Sequence, residues 1–351
     1  MSTCRSVVLH APSVHTGGGF VLLQALIAAW PGDLQLTALL DARARGRLVL
    51  PGDAQVRWVD ASAGSRLTAE IYLSSTAKAN GLILCFHGLP PLLSSRAKIV
   101  VFLQNRLYLA QKLPSGYGLK TRARLTLERF VSRVFRHRVA AYIVQTPSMQ
   151  RAVLQWYGAR DPVQPVVRVL PFVQVLHTSP DGNPSAADWD FVYVADGEAH
   201  KNHRTLLAAW QLLARDGLHP SLALTLSPRD IALKREIVAL SHLAALRIKD
   251  LGQMPHEQVL ALYAKARAMI FPSTSESFGL PLVEAMHAGL PILASELDYV
   301  RDVCRPVQTF DPASPVSIAR AVKRFLAVSE PVLPLNSAHD FWRELLSAGS
   351  E

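Results

Sequence analysis

Short apolar runs alternate with longer amphipathic stretches along most of the chain. In the first half, Ser6–His10, Leu34–Leu40, Leu82–Phe86, Ile99–Gln104, Ala140–Gln145 and Val166–Leu170 have strand length and β-rich apolar character. Helix-length segments Phe20–Trp30, Leu67–Lys78 and Leu119–Arg138 lie between some of them. In the second half the pattern predicts strands at Phe191–Ala195, Leu222–Leu226, Arg247–Leu251, Met269–Phe271 and Ile292–Ala294. Helices are predicted at Asn202–Arg215, Arg229–His242, His256–Ala266, Pro281–His287 and Val316–Ala327. Apolar strands separated by helices are the mark of a parallel sheet covered on both faces.

The rhythm breaks across Phe172–Asp190, where Pro180, Asp181, Gly182, Asn183, Pro184 and Ser185 cluster. The expectation is therefore α/β: two Rossmann-like, doubly wound domains, residues 1–175 and 190–330, joined by a linker at 176–189. A closing helix over 331–351 is expected to return to the first domain. Ligands of such sheets bind at the carboxyl ends of the strands, so two facing domains would enclose a central cleft.

Composition agrees with two cores, since half of the 351 residues are hydrophobic. The three cysteines, Cys4, Cys85 and Cys304, are odd in number and widely spaced. They suggest neither a zinc site nor a disulfide framework, and they fit a reducing cytoplasm. No signal pattern opens the chain, and no apolar run is long enough to span a bilayer.

Charge is uneven: residues 1–175 hold 21 Lys+Arg against 7 Asp+Glu, and residues 176–351 hold 16 against 20. The excess peaks between Arg96 and Arg138, with 11 basic residues and one acid, Glu128. Leu127, Phe130, Val131 and Val134 share one helical face there, with Arg129, Arg133 and Arg136 off it. Residues 96–138 are a candidate docking surface for an anionic membrane on its cytoplasmic face, or for a diphosphate-bearing acceptor. The region lacks interleaved aromatics, and nucleic acid is not an expected partner.

Candidate chemistry concentrates in FPSTSESFGLPLVEAMHAGLP, residues 271–291. A strand ends near Phe271, a loop follows, and Pro281 suits a helix start. Gly279 permits a close backbone approach, so the turn Gly279–Leu280–Pro281 with its free N–H groups reads as a diphosphate site. Glu276 lies in the loop and Glu284 one turn into the helix. There the two carboxylates could accept from sugar and ribose hydroxyls.

This stretch resembles the E-x7-E signature of the retaining glycosyltransferases of family 4, whose fold is called GT-B. The flanking segments Ile248–Tyr263, 289–303 and 310–326 resemble that family too, so the likeness covers nearly all of 190–330. It implies transfer of a hexose from a nucleotide sugar, with retention and without a metal or other cofactor. It places Glu276 on the donor sugar and Glu284 on the ribose.

The resemblance also reaches YVADGEAHKNHRTLLAAW, 193–210, where Lys201 matches a lysine that clamps the diphosphate. Asp196 stands where the family usually has arginine: either Lys201 and the helix start suffice, or Arg204 swings in, or activity is low. In the first half, Gly17, Gly18 and Gly19 resemble the family's glycine-rich loop against the donor phosphates. His87, at the end of its strand, resembles a histidine facing the donor sugar. Gln104 and Asn105 end another strand and could bind sugar or acceptor hydroxyls.

The combined expectation is a hexosyltransferase with a glycan or polyprenyl-diphosphate-linked acceptor, as in bacterial surface-polysaccharide or lipopolysaccharide synthesis. The alternatives are a GT-B sugar-nucleotide epimerase and a catalytically weak sugar-nucleotide-binding protein.

Overall fold

A computed structural model describes residues 6–76, 81–110, 116–158, 164–173 and 187–329. Strands β1 (Val7–Ala11), β2 (Leu36–Asp41), β3 (Gln55–Val59), β4 (Leu82–Cys85), β5 (Lys98–Phe102), β6 (Val139–Val144) and β7 (Val166–Val169) form the first sheet. Its order is β3-β2-β1-β4-β5-β6-β7, parallel throughout. Helices α1 (Gly17–Ala28), α2 (Ala63–Thr76), α3 (Leu119–Phe135) and α4 (Pro147–Tyr157) accompany it.

The second sheet holds β8 (Trp189–Tyr193), β9 (Leu222–Leu224), β10 (Ile248–Asp250), β11 (Ala266–Phe271), β12 (Ile292–Ser295) and β13 (Gln308–Phe310). Its order is β10-β9-β8-β11-β12-β13, again all parallel. Its helices are α5 (His203–Arg215), α6 (Ile231–Leu243), α7 (His256–Tyr263), α8 (Leu280–His287), α9 (Asp298–Val303) and α10 (Pro315–Phe325). The strand order reverses between β1 and β4 and between β8 and β11. Those are the points where an open α/β sheet leaves a crevice at its carboxyl edge.

Burial follows from covering both faces. Central strands β9 and β12 are buried at every residue. The second core packs β8, β9, β11 and β12 against Leu206, Trp210 and Leu213 of α5 and Ile318 and Val322 of α10. The first sheet has separate cores on its two faces, one around Leu73, Leu125 and Met149, the other around Leu23, Phe86 and Phe102.

The structure corrects several expectations. Gly17–Gly19 form the first turn of α1 rather than a loop, with Gly17 at φ +68°. The helix from His256 stops at Tyr263, and Ala266 already opens β11. Trp189 belongs to β8, not to the linker. The rest of the expected linker and the closing helix lie largely or wholly outside the described residues. Four elements were not anticipated: β3, α4, α9 and β13. β3 is an edge strand whose first four residues alternate between exposed and half-buried and in which only Val59 is buried, so it lacks a continuous apolar run.

The domains meet through specific contacts. The Ser148 N–H in the first turn of α4 donates to Asp302 Oδ2 of α9 at 2.7 Å. Thr146, which caps α4 by accepting from Met149 N, donates Oγ1 to the Ser277 carbonyl at 3.0 Å. Tyr117 Oη and His200 Nδ1 share a hydrogen bond of 2.8 Å.

Candidate active site

The connection from β11 to α8 forms the centre of the site. Gly279 caps α8 at φ +76°, ψ +55°, and a Cβ there would come within 3.1 Å of Leu282 Cδ1. A left-handed backbone with no room for a side chain is a glycine position. Leu280 and Pro281 open the helix behind it. Across the cleft, a Cβ on Gly18 would lie 3.5 Å from Leu280 Cδ2, so the first turn of α1 faces the first turn of α8.

Glu276 does not stand alone. Its Oε1 accepts from Lys201 Nζ and from Ser273 Oγ, each at 2.7 Å. The Lys201 and Glu276 side chains are only 18% and 12% exposed, so each charge depends on the other. Burial, the largest single influence, raises the carboxyl pKa, but the Lys201 charge, His200 and the hydrogen bonds from Lys201 and Ser273 together hold Glu276 below its usual range. Burial, the largest single influence, lowers the Lys201 pKa, but Glu276, Asp196 and Glu198 together hold the ammonium above its ordinary value. Lys201 is therefore a buried, charged residue rather than a surface lysine.

A backbone frame fixes this pair. The His200 carbonyl accepts from Thr274 N at 2.8 Å and lies 3.1 Å from Ser273 Oγ, whose one proton is shared with the shorter contact to Glu276. Tyr193 Oη donates to the Lys201 carbonyl, and Tyr299 Oη to the Ser273 carbonyl, both at 2.8 Å. Asn202 adopts a left-handed conformation at φ +64°, which asparagine tolerates better than most residues. Its Nδ2 ties the Pro272 and Pro312 carbonyls together at 3.1 and 2.7 Å.

Three carboxylates, those of Asp196, Glu198 and Glu276, act on Lys201. Burial raises the Glu198 pKa, and Asp196 adds to the effect. The turn is pinned where Gly197 N donates to Asp230 Oδ2 at 2.8 Å. Arg204 does not supply the missing guanidinium here: its Nε donates to Glu236 on α6 at 3.2 Å, and its side chain is 68% exposed.

Glu284 is also clamped. Its Oε1 meets His256 Nε2 at 2.9 Å, and its Oε2 accepts from Tyr263 Oη at 3.1 Å. The hydrogen bond to Glu284 raises the His256 pKa, against the opposing effect of burial. Glu284, His256, Leu280, Val283 and His287 line a narrow crevice with Val21 of α1 and Val173.

On the first domain, His87 Nδ1 lies 3.2 Å from the His10 carbonyl, and the two rings meet edge to face at 4.7 Å. A carbonyl can only accept, so the proton sits on Nδ1 and leaves Nε2 as an acceptor. Burial pulls the His87 pKa down to about 4, so the ring is neutral near pH 7. Gln104 donates Nε2 to the Phe86 carbonyl at 2.6 Å, and its Oε1 would lie 3.2 Å from a Cβ on Gly19. Asn105 is committed locally, accepting from Leu107 N at 3.0 Å. Among the described residues no cluster of His, Cys, Asp and Glu could hold a metal ion.

Ser273, His200, Asn202, His256, Tyr263 and Tyr299 were not singled out in the sequence. Ser273, three residues before Glu276, carried a local signal. His256 lies 28 residues before Glu284, and no short motif connects them.

The fold is of the GT-B type, two parallel α/β sheets of the kind found in solved glycosyltransferases. The chain superposes on Anabaena Alr3699/HepE, solved with UDP and glucose, with a TM-score of 0.66 at 16% identity, over 92% of this chain and 90% of that one. It superposes on sucrose-phosphate synthase from Thermosynechococcus elongatus with a TM-score of 0.65 at 18% identity and the same coverage.

The C-terminal half adds a sequence assignment: residues 179–337 match the family described as glycosyl transferases group 1. The serotype-specific mannosyltransferase WbdA of Escherichia coli is 32% identical over 148 residues, 41% of this chain and 18% of that protein. The O-antigen chain mannosyltransferase B of Escherichia coli is 30% identical over 159 residues, 45% of this chain and 39% of that protein. The chain thus spans well under half the length of these relatives.

Proposed function

We propose that this protein transfers a hexose from a nucleoside-diphosphate sugar to a hydroxyl of a glycan or lipid-linked acceptor, with retention and without a metal. The buried Lys201–Glu276 pair, placed between the Ala199–Lys201 turn and the start of α8, carries this reading. A leaving diphosphate gains negative charge as its bond to the sugar breaks. Lys201 and the helix start supply compensating positive charge there.

Glu276 uses Oε1 on Lys201 and Ser273, and among the described residues its Oε2 takes no hydrogen bond. That oxygen is available to sugar hydroxyls, with neutral His87 and Gln104 facing from the first domain. Glu284 receives the ribose. In this scheme the acceptor oxygen bonds to the anomeric carbon on the face the diphosphate leaves, and the departing phosphate oxygen takes the hydroxyl proton. The relatives make mannose the first sugar to test and an O-antigen-type glycan the first acceptor class.

Attachment to an anionic membrane is part of the proposal. On α3, Leu127 and Phe130 are 62% and 64% exposed, while Leu125 and Ser132 face inward. Lys120, Arg122, Arg124 and Arg133 are exposed on the same helix. No described helix is long and apolar enough to cross a membrane.

The test is donor turnover. The purified protein is incubated with GDP- and UDP-linked hexoses, with and without EDTA, and nucleoside diphosphate release and the anomeric configuration of the product are read. Release from one donor that is insensitive to EDTA, with retained configuration, supports the proposal. The crowding of Asp196, Glu198 and Glu276 around one lysine favours a second reading, a weak sugar-nucleotide-binding protein. Binding without turnover would select it.

A further inference from the structure

We infer that His256 is a positioning residue for nucleoside recognition, holding the Glu284 carboxylate so that both its oxygens can accept from a vicinal diol. This rests on the reading of Glu284 as the ribose acceptor. His256 and Tyr263 stand seven positions apart on α7, so they share one helical face and approach Glu284 as two donors. One meets each carboxylate oxygen, at 2.9 and 3.1 Å.

An ionised carboxylate oxygen can accept more than one hydrogen bond, so the clamp leaves capacity on each oxygen. It also sets the plane of the group. The Glu284 side chain is 9% exposed, and a carboxylate so deeply buried needs partners to remain charged. Tyr263 is buried behind it and His256 is 24% exposed at the edge.

The other titratable groups at this place do not replace the clamp. Glu257, beside His256 on α7, is an acid and cannot neutralise Glu284. His287 on α8 spends Nδ1 on the Val283 carbonyl at 2.8 Å. The cationic form of His256 is therefore the charge complement of Glu284, and Glu284 in turn keeps that form protonated to higher pH than an ordinary imidazole. The clamped carboxylate opens on the crevice that Val21 and Val173 close from the other side.

The experiment is titration calorimetry of the full chain with UDP and GDP and with their 2′-deoxy counterparts, between pH 6 and 9, on wild type, H256A, H256Q and E284Q. Thermal unfolding of each variant confirms the fold. H256A is expected to weaken ribonucleotide binding about tenfold, the size of one lost charge-assisted hydrogen bond, and to weaken binding of the 2′-deoxynucleotides, which keep only the 3′-hydroxyl on Glu284, by a smaller factor. H256Q should recover part of the loss, because its amide can donate. Wild-type ribonucleotide affinity should fall as pH rises, and that of H256Q should stay flat.

Ribonucleotide binding by H256A as tight as or tighter than wild type would overturn the inference and make His256 a mere cover over Glu284. E284Q separates the two levels. If it keeps the wild-type preference for ribose, the assignment of Glu284 fails and the clamp falls with it. If it loses that preference while H256A does not, the clamp alone is wrong.

Discussion

Lys201 and Glu276 lie 75 positions apart in the chain and 2.7 Å apart in the fold. Two loops that the sequence treats as separate motifs thus share one charge pair. Removing either residue does two things: it alters the chemistry and it strands a buried charge.

Glu276→Gln should lower donor turnover by about 10²-fold or more if the carboxylate aids the transition state. Leaving Lys201 buried without its partner should also cost about 3–5 kcal/mol of stability, because both side chains are largely desolvated. Turnover and urea unfolding measured on the same preparation separate the two effects. A fully active variant would remove Glu276 from the chemistry.

Gly279→Ala should destabilise the start of α8. The left-handed backbone costs a side chain about 1–2 kcal/mol, and Leu282 Cδ1 at 3.1 Å must move as well. Melting temperature and nucleotide affinity should fall together. A variant that binds nucleotide like wild type would show that the turn is not needed for the diphosphate.

Asp302→Ala tests the contact between domains. Its carboxylate accepts from the first turn of α4, a capping interaction made across the cleft. Such interactions are worth about 0.5–2 kcal/mol, so the donor KM should rise roughly 2- to 30-fold by mass action on the closed form. Small-angle scattering should show a larger mean radius. No change in either measurement would mean that this contact does not hold the cleft.

Stability should fall on mild acidification. Burial pulls His87 and His200 down to about 4 and His203 to about 3, against 6.5 for an ordinary imidazole. Between those values the unfolded chain binds more protons than the folded one, so stability rises with pH there. It is complete above 6.5 and is lost as pH falls toward 4. His256 acts in the opposite sense: its contribution is present below 6.5 and fades as pH rises through its raised value. Urea midpoints at pH 7, 6 and 5 should decrease in that order. A flat profile would contradict the buried neutral imidazoles.

Leu127→Glu with Phe130→Glu should reduce sedimentation with anionic vesicles while sparing donor hydrolysis, since both side chains point outward. Raised salt should weaken wild-type binding by screening. Equal binding of wild type and variant would leave the α3 stripe without a membrane role.

Much of the fold was legible because fully apolar runs such as Leu222–Leu224 and Ile292–Ala294 suit strands buried on both faces. β3 escaped because Arg57 interrupts it at a sheet edge. In the candidate site, Glu276, Glu284 and Gly279 were proposed from the 271–291 pattern and Lys201 from the family resemblance, and the structure brings Lys201 and Glu276 into one ion pair. The residues that hold them were not. His256, Tyr263, Asn202 and Tyr299 reach the site only through tertiary folding, and each is a common residue type in an ordinary helix or turn. Arg204 shows the converse: proximity in sequence suggested a role that Glu236 pre-empts.

The hydrogen bond from Thr146 to the Ser277 carbonyl reaches the residue immediately after Glu276. Parting the two domains would break this bond and free the loop that carries Glu276. In the proposed reaction, cleft opening and the placement of that carboxylate would then be one coupled motion, hinged on a single threonine.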